Sequence, residues 1–232
     1  MSNYDVIVRH GIVVGNDGFG KSDIAIADGK IAAVEPDIAG TAREVIDATN
    51  LHVFPGVIDA HVHFNEPGRT AWEGWATGSR ACAAGGGTTC FDMPLNAHPP
   101  TIDAVSFDKK LAAATRQSVV DFGLWGGLVP GNIDNMAELV ERGVVGFKAF
   151  MAQSGIGDFR AADDLTLYEG MARAHELNAL VAVHAENDSI SAGLAARAIA
   201  AGRTGIRDFL ASRPVIAELE AISRAILFAE ET

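Results

Sequence analysis

His61 and His63 stand two positions apart at the end of an apolar run, "VIDAHVHF", residues 57–64. In a β-strand, residues i and i+2 share a face, roughly 6.5–7 Å apart at about 3.3 Å per residue. Both imidazoles therefore project together, with Asp59 one step back on that face as a partner or as a core-facing salt-bridge group. A third histidine, His184, ends the run "ALVAVHAE". Imidazoles gathered in this way suit Zn²⁺ or a similar borderline divalent ion. An isolated His-x-His equally describes two partly exposed side chains at a strand end, so the pair alone decides nothing. Lys148 lies in "GVVGFKAFM". An ammonium ligates no metal, and most lysines are solvated surface charges. Apolar surroundings, however, pull a lysine pKa down. A neutral amine can add CO₂ to give a carbamate, whose two oxygens can bridge two metal ions.

Such a group needs a scaffold that brings several strand ends together. The first fifty residues read as short strands with turn signals and no helix, among them "KSDIAIADGKIAAVEP" with an Asp28-Gly29 hairpin turn. We read residues 1–51 as a small β-sandwich unit. From residue 52 strand and helix alternate. "HVFPGVIDAHV", "GTTCFDM", "VVDFGLW", "GVVGFKAFM" and "ALVAVHAE" are strands. Helices fall between them: one capped by Thr70, one opening at Thr101, one over "IDNMAELVERG" and one over "DLTLYEGMARAHELN". Two helical stretches follow, the last opening at Pro214. Alternation of this kind implies a parallel sheet, in a barrel or a doubly wound arrangement. Gly85, Gly86 and Gly87 precede a strand instead of opening a helix, so no phosphate loop is present and a barrel is favoured. Chemistry in a (β/α)₈ barrel happens at the C-terminal ends of its strands, where His61, His63, Lys148 and His184 all fall.

Composition agrees. A hydrophobic fraction of 48% with only 7% aromatics makes an aliphatic, Ala-rich core, as parallel strands buried on both faces require. A formal net charge of −12 argues against a nucleic-acid or anionic-membrane surface. Cys82 and Cys90 read as small core residues, too few for a disulfide scaffold. With no signal segment or long apolar run, the expected location is the cytoplasm.

The stretch "GVIDAHVHFNEPGRTAWEGWATGSRACAAGGGTTCFDMPLN", with "GVVGFKAFM", "VAVHAEN" and "RPVIAELEAISRAI", resembles the cyclic amidohydrolases, and among them the allantoinase branch. The resemblance implies a barrel carrying two divalent metal ions, zinc in the first instance. His61 and His63 would hold one ion and His184 the other, with the Lys148 carbamate between them. It also implies hydrolytic opening of the hydantoin ring of allantoin to allantoate, a homotetramer when full length, and a small-molecule substrate as the partner. Dihydroorotases carry Arg two residues after the second His to meet a carboxylate; Asn65 stands there. Hydantoinases and dihydropyrimidinases place Tyr five residues after the bridging Lys; Gln153 stands there. Asn96, in "DMPLN", is a candidate hydrogen-bond partner for a ureide or ring carbonyl, or a turn former. The loop "AQSGIGDFR" is a candidate gate over the site or simply a loop. His10, His98 and His175 read as surface residues, and His52 as the start of the first barrel strand.

The family pattern expects a further metal-binding His on the sixth strand and a general-base Asp on the eighth. Neither has a counterpart up to Thr232, so the general base is expected beyond Thr232 and no catalytic residue is assigned. The sequence reads as the N-terminal part of an enzyme, about five strands of eight, and as inactive alone. The other class of reading is a non-catalytic homologue that keeps the barrel as a scaffold. Such homologues have typically lost metal ligands, whereas His61, His63, Lys148 and His184 are all present.

Overall fold

Residues 3–232 are described by a computed structural model. The chain divides into two compact units between Val57 and Ile58.

In the first unit, β1 (Asn3–Gly15) pairs antiparallel with β2 (Gly18–Ala27), and β2 with β3 (Lys30–Glu35). The β2–β3 turn is Asp28-Gly29, both at positive φ, +52° and +70°, as this kind of tight hairpin demands. β4 (Thr41–Asp47) and β5 (His52–Val53) lie parallel to β1. Ile7, Ala25 and Ile38 form a small core. Beside it Asp23 is buried and accepts from Arg9 Nη1 at 2.7 Å and from the His10 N–H at 2.8 Å. A sandwich has two layers, whereas the described residues here form one five-stranded sheet.

The stretch read as one strand, "HVFPGVIDAHV", is two. Pro55 offers no N–H to a ladder, and β5 ends before it on β1, while β6 (Val57–Val62) starts after it. His52 therefore belongs to the first sheet and is not the start of a barrel strand.

In the second unit β6 is followed by α1 (Trp75–Ala84), β7 (Gly87–Asp92), α2 (Ala104–Gln117), β8 (Asp121–Leu124) and β9 (Gly126–Gly127). A 3₁₀ turn leads into α3 (Met136–Glu141), then β10 (Phe147–Phe150), α4 (Asp164–Glu176) and β11 (Val181–His184). The strand order is β6-β7-β8 and β9-β10-β11. β8 and β9 are separated only by Trp125, whose N–H donates to the Asp92 carbonyl at 3.0 Å. The ladders β7–β8, β9–β10 and β10–β11 are parallel. Neighbours follow chain order without reversal, the arrangement of a barrel wall; a doubly wound sheet reverses at a switch point. The main core runs through Trp75, Phe107, Leu128, Leu139, Phe147 and Leu167.

Two helix starts and the number of C-terminal helices differ from expectation. α1 begins at Trp75 with Gly74 as its cap. Thr70 does not cap it; the Glu66 carboxylate accepts the Trp75 N–H at 3.0 Å and meets the positive helix end instead. α2 begins after Asp103, not at Thr101, because Asp103 and Ser106 exchange hydrogen bonds in a capping box. The final segment holds three helices, α5 (Asp188–Ala200), α6 (Ile206–Ala211) and α7 (Val215–Glu231), with Pro214 as the cap of the last. No helix among the described residues is long and apolar enough to cross a membrane.

Candidate metal centre

Alternation along β6 puts His61 and His63 on one side, with ring centroids 5.2 Å apart and planes inclined by 56°. Two imidazoles sharing one tetrahedral ion at about 2.0–2.1 Å place their centroids about 5 Å apart, so the spacing fits. His63 Nδ1 is buried without a hydrogen-bond partner among the described residues. A buried polar atom normally has one, and a metal ion would satisfy it. Asp59 is exposed, and its carboxylate accepts the His61 N–H at 3.1 Å. It forms no salt bridge among the described residues, which removes the core-facing reading.

Lys148 and His184 come from adjacent strands. Phe150 is the register partner of His184, and the two rings stack at 4.8 Å and 10°. Lys148 Nζ lies 5.3 Å from the centroid of the same Phe150 ring. The lysine is only 6% exposed, and burial lowers its pKa. Burial also lowers the pKa of His61, helped by the positive charge of Lys148 and more weakly by His184, against Asp59. Burial lowers that of His63 too, while Asp92 opposes it. The imidazoles are thus biased toward the neutral form that ligates metal. Among the described residues no three His, Cys, Asp or Glu side chains converge as a metal cage. The donor set here is the His61–His63 pair, which Lys148 would join only as a carbamate.

Thr232, beyond which the general-base Asp is expected, is itself no part of the centre. Its hydroxyl donates to the Phe228 carbonyl one helical turn back at 2.8 Å. The catalytic base stays unassigned.

Asn65 and Asn96 follow β6 and β7 in the left-handed region, at φ +56° and +69°, which Asn tolerates better than most residues. The Asn65 carbonyl accepts the Arg69 N–H at 3.0 Å, and the Asn96 carbonyl accepts Arg69 Nη1 at 3.1 Å. Both backbones therefore have turn roles, and the Asn96 side chain makes no hydrogen bond among the described residues. Gln153 is exposed, and its backbone N–H donates to Asp188. His10 and His175 are exposed. His98 is exposed as well, but it bonds Asp158 at 2.5 Å.

Two features escaped the sequence. Asp158, in the loop after β10, is bound by His98 and by Arg69 Nη2 at 3.2 Å, tying together the loops that follow β6, β7 and β10. Lys110 and Asp92 form an ion pair at 2.6 Å with both side chains 1% exposed. A signal for Lys110 existed: Phe107, Lys110 and Ala114 share one helical face, and the other two are core residues.

Parallel strands in chain order, with histidines at or just past the C-terminal ends of β6 and β11 and a buried lysine within β10, are the frame of a metal-dependent hydrolase of the TIM-barrel class. A model of the amidohydrolase family matches residues 52–225, and the chain belongs to that family. An allantoinase of Rubrobacter xylanophilus is 63% identical over 231 residues, covering 100% of this chain and 51% of the relative. An allantoinase of Solibacter usitatus is 59% identical, covering 98% and 50%. The solved L-hydantoinase (dihydropyrimidinase) of Arthrobacter aurescens superposes with a TM-score of 0.93 at 38% identity, over 98% of this chain and 51% of its own. The chain spans about half the length of the curated relatives it matches.

Proposed function

We propose that the intact protein opens the ring of allantoin to give allantoate, using two divalent metal ions, zinc in the first instance. His61 and His63 would hold one ion, His184 the other, and a carbamate on Lys148 would join them. When bound, the ions would polarise the ring carbonyl and lower the pKa of water from 15.7 toward about 7. What supports this reading is the 5.2 Å pairing of His61 and His63, with the unpartnered Nδ1 of His63 beneath it. The chain's own residues prepare the site. Burial favours the neutral Lys148 amine that CO₂ must meet, and the Phe150 ring covers both Lys148 and His184.

The choice of substrate rests on Asn65, Gln153 and the two allantoinase relatives named above. Asn65 supplies no guanidinium for the carboxylate of dihydroorotate. The structural likeness to an L-hydantoinase favours a second reading, a hydantoinase or dihydropyrimidinase, against which Gln153 stands in the Tyr position. Comparing kcat/KM of the intact protein for allantoin, dihydroorotate and 5,6-dihydrouracil separates them. Allantoin is expected to lead; a lead for dihydroorotate would overturn the weight placed on Asn65, and a lead for dihydrouracil that on Gln153.

A further inference from the structure

Two charges removed from water are costly, and apolar side chains of similar size commonly fill such a place as well or better. Lys110 and Asp92 are nevertheless a fully buried pair, one from the middle of α2 and one from the last position of β7. Their partners show what they hold. Asp92 Oδ1 accepts the Phe64 N–H at 2.9 Å. The next residue, Met93, donates its N–H to the Val62 carbonyl at 2.9 Å. Lys110 Nζ donates to the Met93 carbonyl at 2.5 Å and lies 2.6 Å from Asp92 Oδ2. The peptide groups on both sides of His63 are thus tied to Asp92-Met93, and Lys110 anchors that dipeptide from below.

We propose that Asp92 is a positioning residue that fixes the orientation of His63 for metal by holding the Phe64 N–H, with Lys110 supplying the charge that lets its carboxylate stay buried. The inference rests on the metal-centre reading. Neither side chain is a ligand in this reading. Asp92 holds the strand end through its carboxylate oxygen, and Lys110 supplies the positive charge that allows the carboxylate to stay buried and hold it. Partners of this kind behind a metal ligand change metal affinity by about 10–100-fold when removed.

The test is zinc affinity of the intact protein, measured by competition with a chromophoric chelator, with circular dichroism as the check on folding. Asp92→Leu/Lys110→Met removes both charges and the acceptor for Phe64. Asp92→Asn/Lys110→Met removes the charges but keeps an oxygen for the Phe64 N–H. We expect the first to fold and bind zinc about 10–100-fold more weakly, and the second to stay near the parent value. Parent-like affinity in the first variant would overturn the proposal. A loss in the second as large as in the first would also overturn it, because charge and not the bond to Phe64 would then matter. If the first variant does not fold, Asp92→Ser/Lys110→Met, whose hydroxyl is too short to reach the Phe64 N–H, takes its place: a loss of about tenfold or more upholds the clamp, and near-parent affinity overturns it. His63→Ala is the control. Undiminished zinc binding there would overturn the metal-centre reading itself, a failure distinct from that of the clamp.

Discussion

Phe150 and His184 are opposite one another in the β10–β11 ladder, and their rings lie almost parallel at 4.8 Å. The same Phe150 ring has Lys148 Nζ 5.3 Å from its centroid and Phe159 edge-on at 5.9 Å. One aromatic side chain therefore orients a histidine and shields a lysine. In a parallel ladder this follows from register alone, since Lys148 and Phe150 alternate onto one side beside Ala182 and His184.

Phe150→Ala is expected to lower stability by about 3 kcal/mol, the low end for truncating a packed Phe, and to reduce bound metal. Phe150→Leu is expected to do less of both. Urea denaturation with zinc analysis by mass spectrometry checks this; an unchanged unfolding midpoint in the Ala variant would show that the ring is not packed as described.

Lys148→Ala is expected to remove bridging metal and most turnover from the intact protein. Short carboxylic acids added to the buffer are expected to restore part of the activity by standing in for the carbamate. Unchanged metal content and turnover in this variant would exclude the carbamate assignment.

Asp158 carries a pH dependence whose sign is fixed. Burial raises its pKa, but the hydrogen bond from His98 and the charge of Arg69 outweigh this, and the carboxyl sits below its ordinary value of 3.8. The stabilisation is thus complete above the pKa of an unfolded aspartate and is lost as pH falls through the lower folded value. At neutral pH the loop 152–160 is expected to resist limited proteolysis. Asp158→Asn, weakening the tie by about 1 kcal/mol, is expected to speed cleavage there with little change in the melting temperature. Equal cleavage rates would show that the tie does not hold the loop.

Cys90 is buried and its thiol is pushed up to about 12 by burial, with Cys82, Asp92 and Asp59 adding to the effect. Only a thiolate alkylates readily. Iodoacetamide at pH 8 is expected to leave Cys90 unmodified in the folded protein and to label it in urea, as mapped by peptide mass spectrometry. Rapid labelling of the folded protein would mean that the β7 core is open.

Part of the candidate site was legible because its logic is local. His61 and His63 share a face through strand periodicity, and His184 ends an apolar run, so their placement needs only the strands; Lys148, expected at a strand end, lies inside β10. The helix starts were less legible. Thr70 and Thr101 look like caps in sequence, but Glu66 reaches the start of α1 from nine residues away, and Ser106 completes the cap of Asp103. His52 was misplaced because an apolar stretch carries no mark of which sheet it joins; its pairing with β1 is a long-range choice.

The sequence by itself determined the alternation of strand and helix, the His-x-His face and the chemical types at the strand ends. These depend on side-chain period and composition over a few residues. Only the tertiary structure decided that Phe150 lies against both Lys148 and His184, that Asp158 joins loops 89 residues apart in the chain, and that Lys110 reaches Asp92 behind His63. Each of those depends on which strands and helices become neighbours. A buried charge such as Lys110 is tolerable only because folding delivers its partner, and no local pattern states where that partner will be.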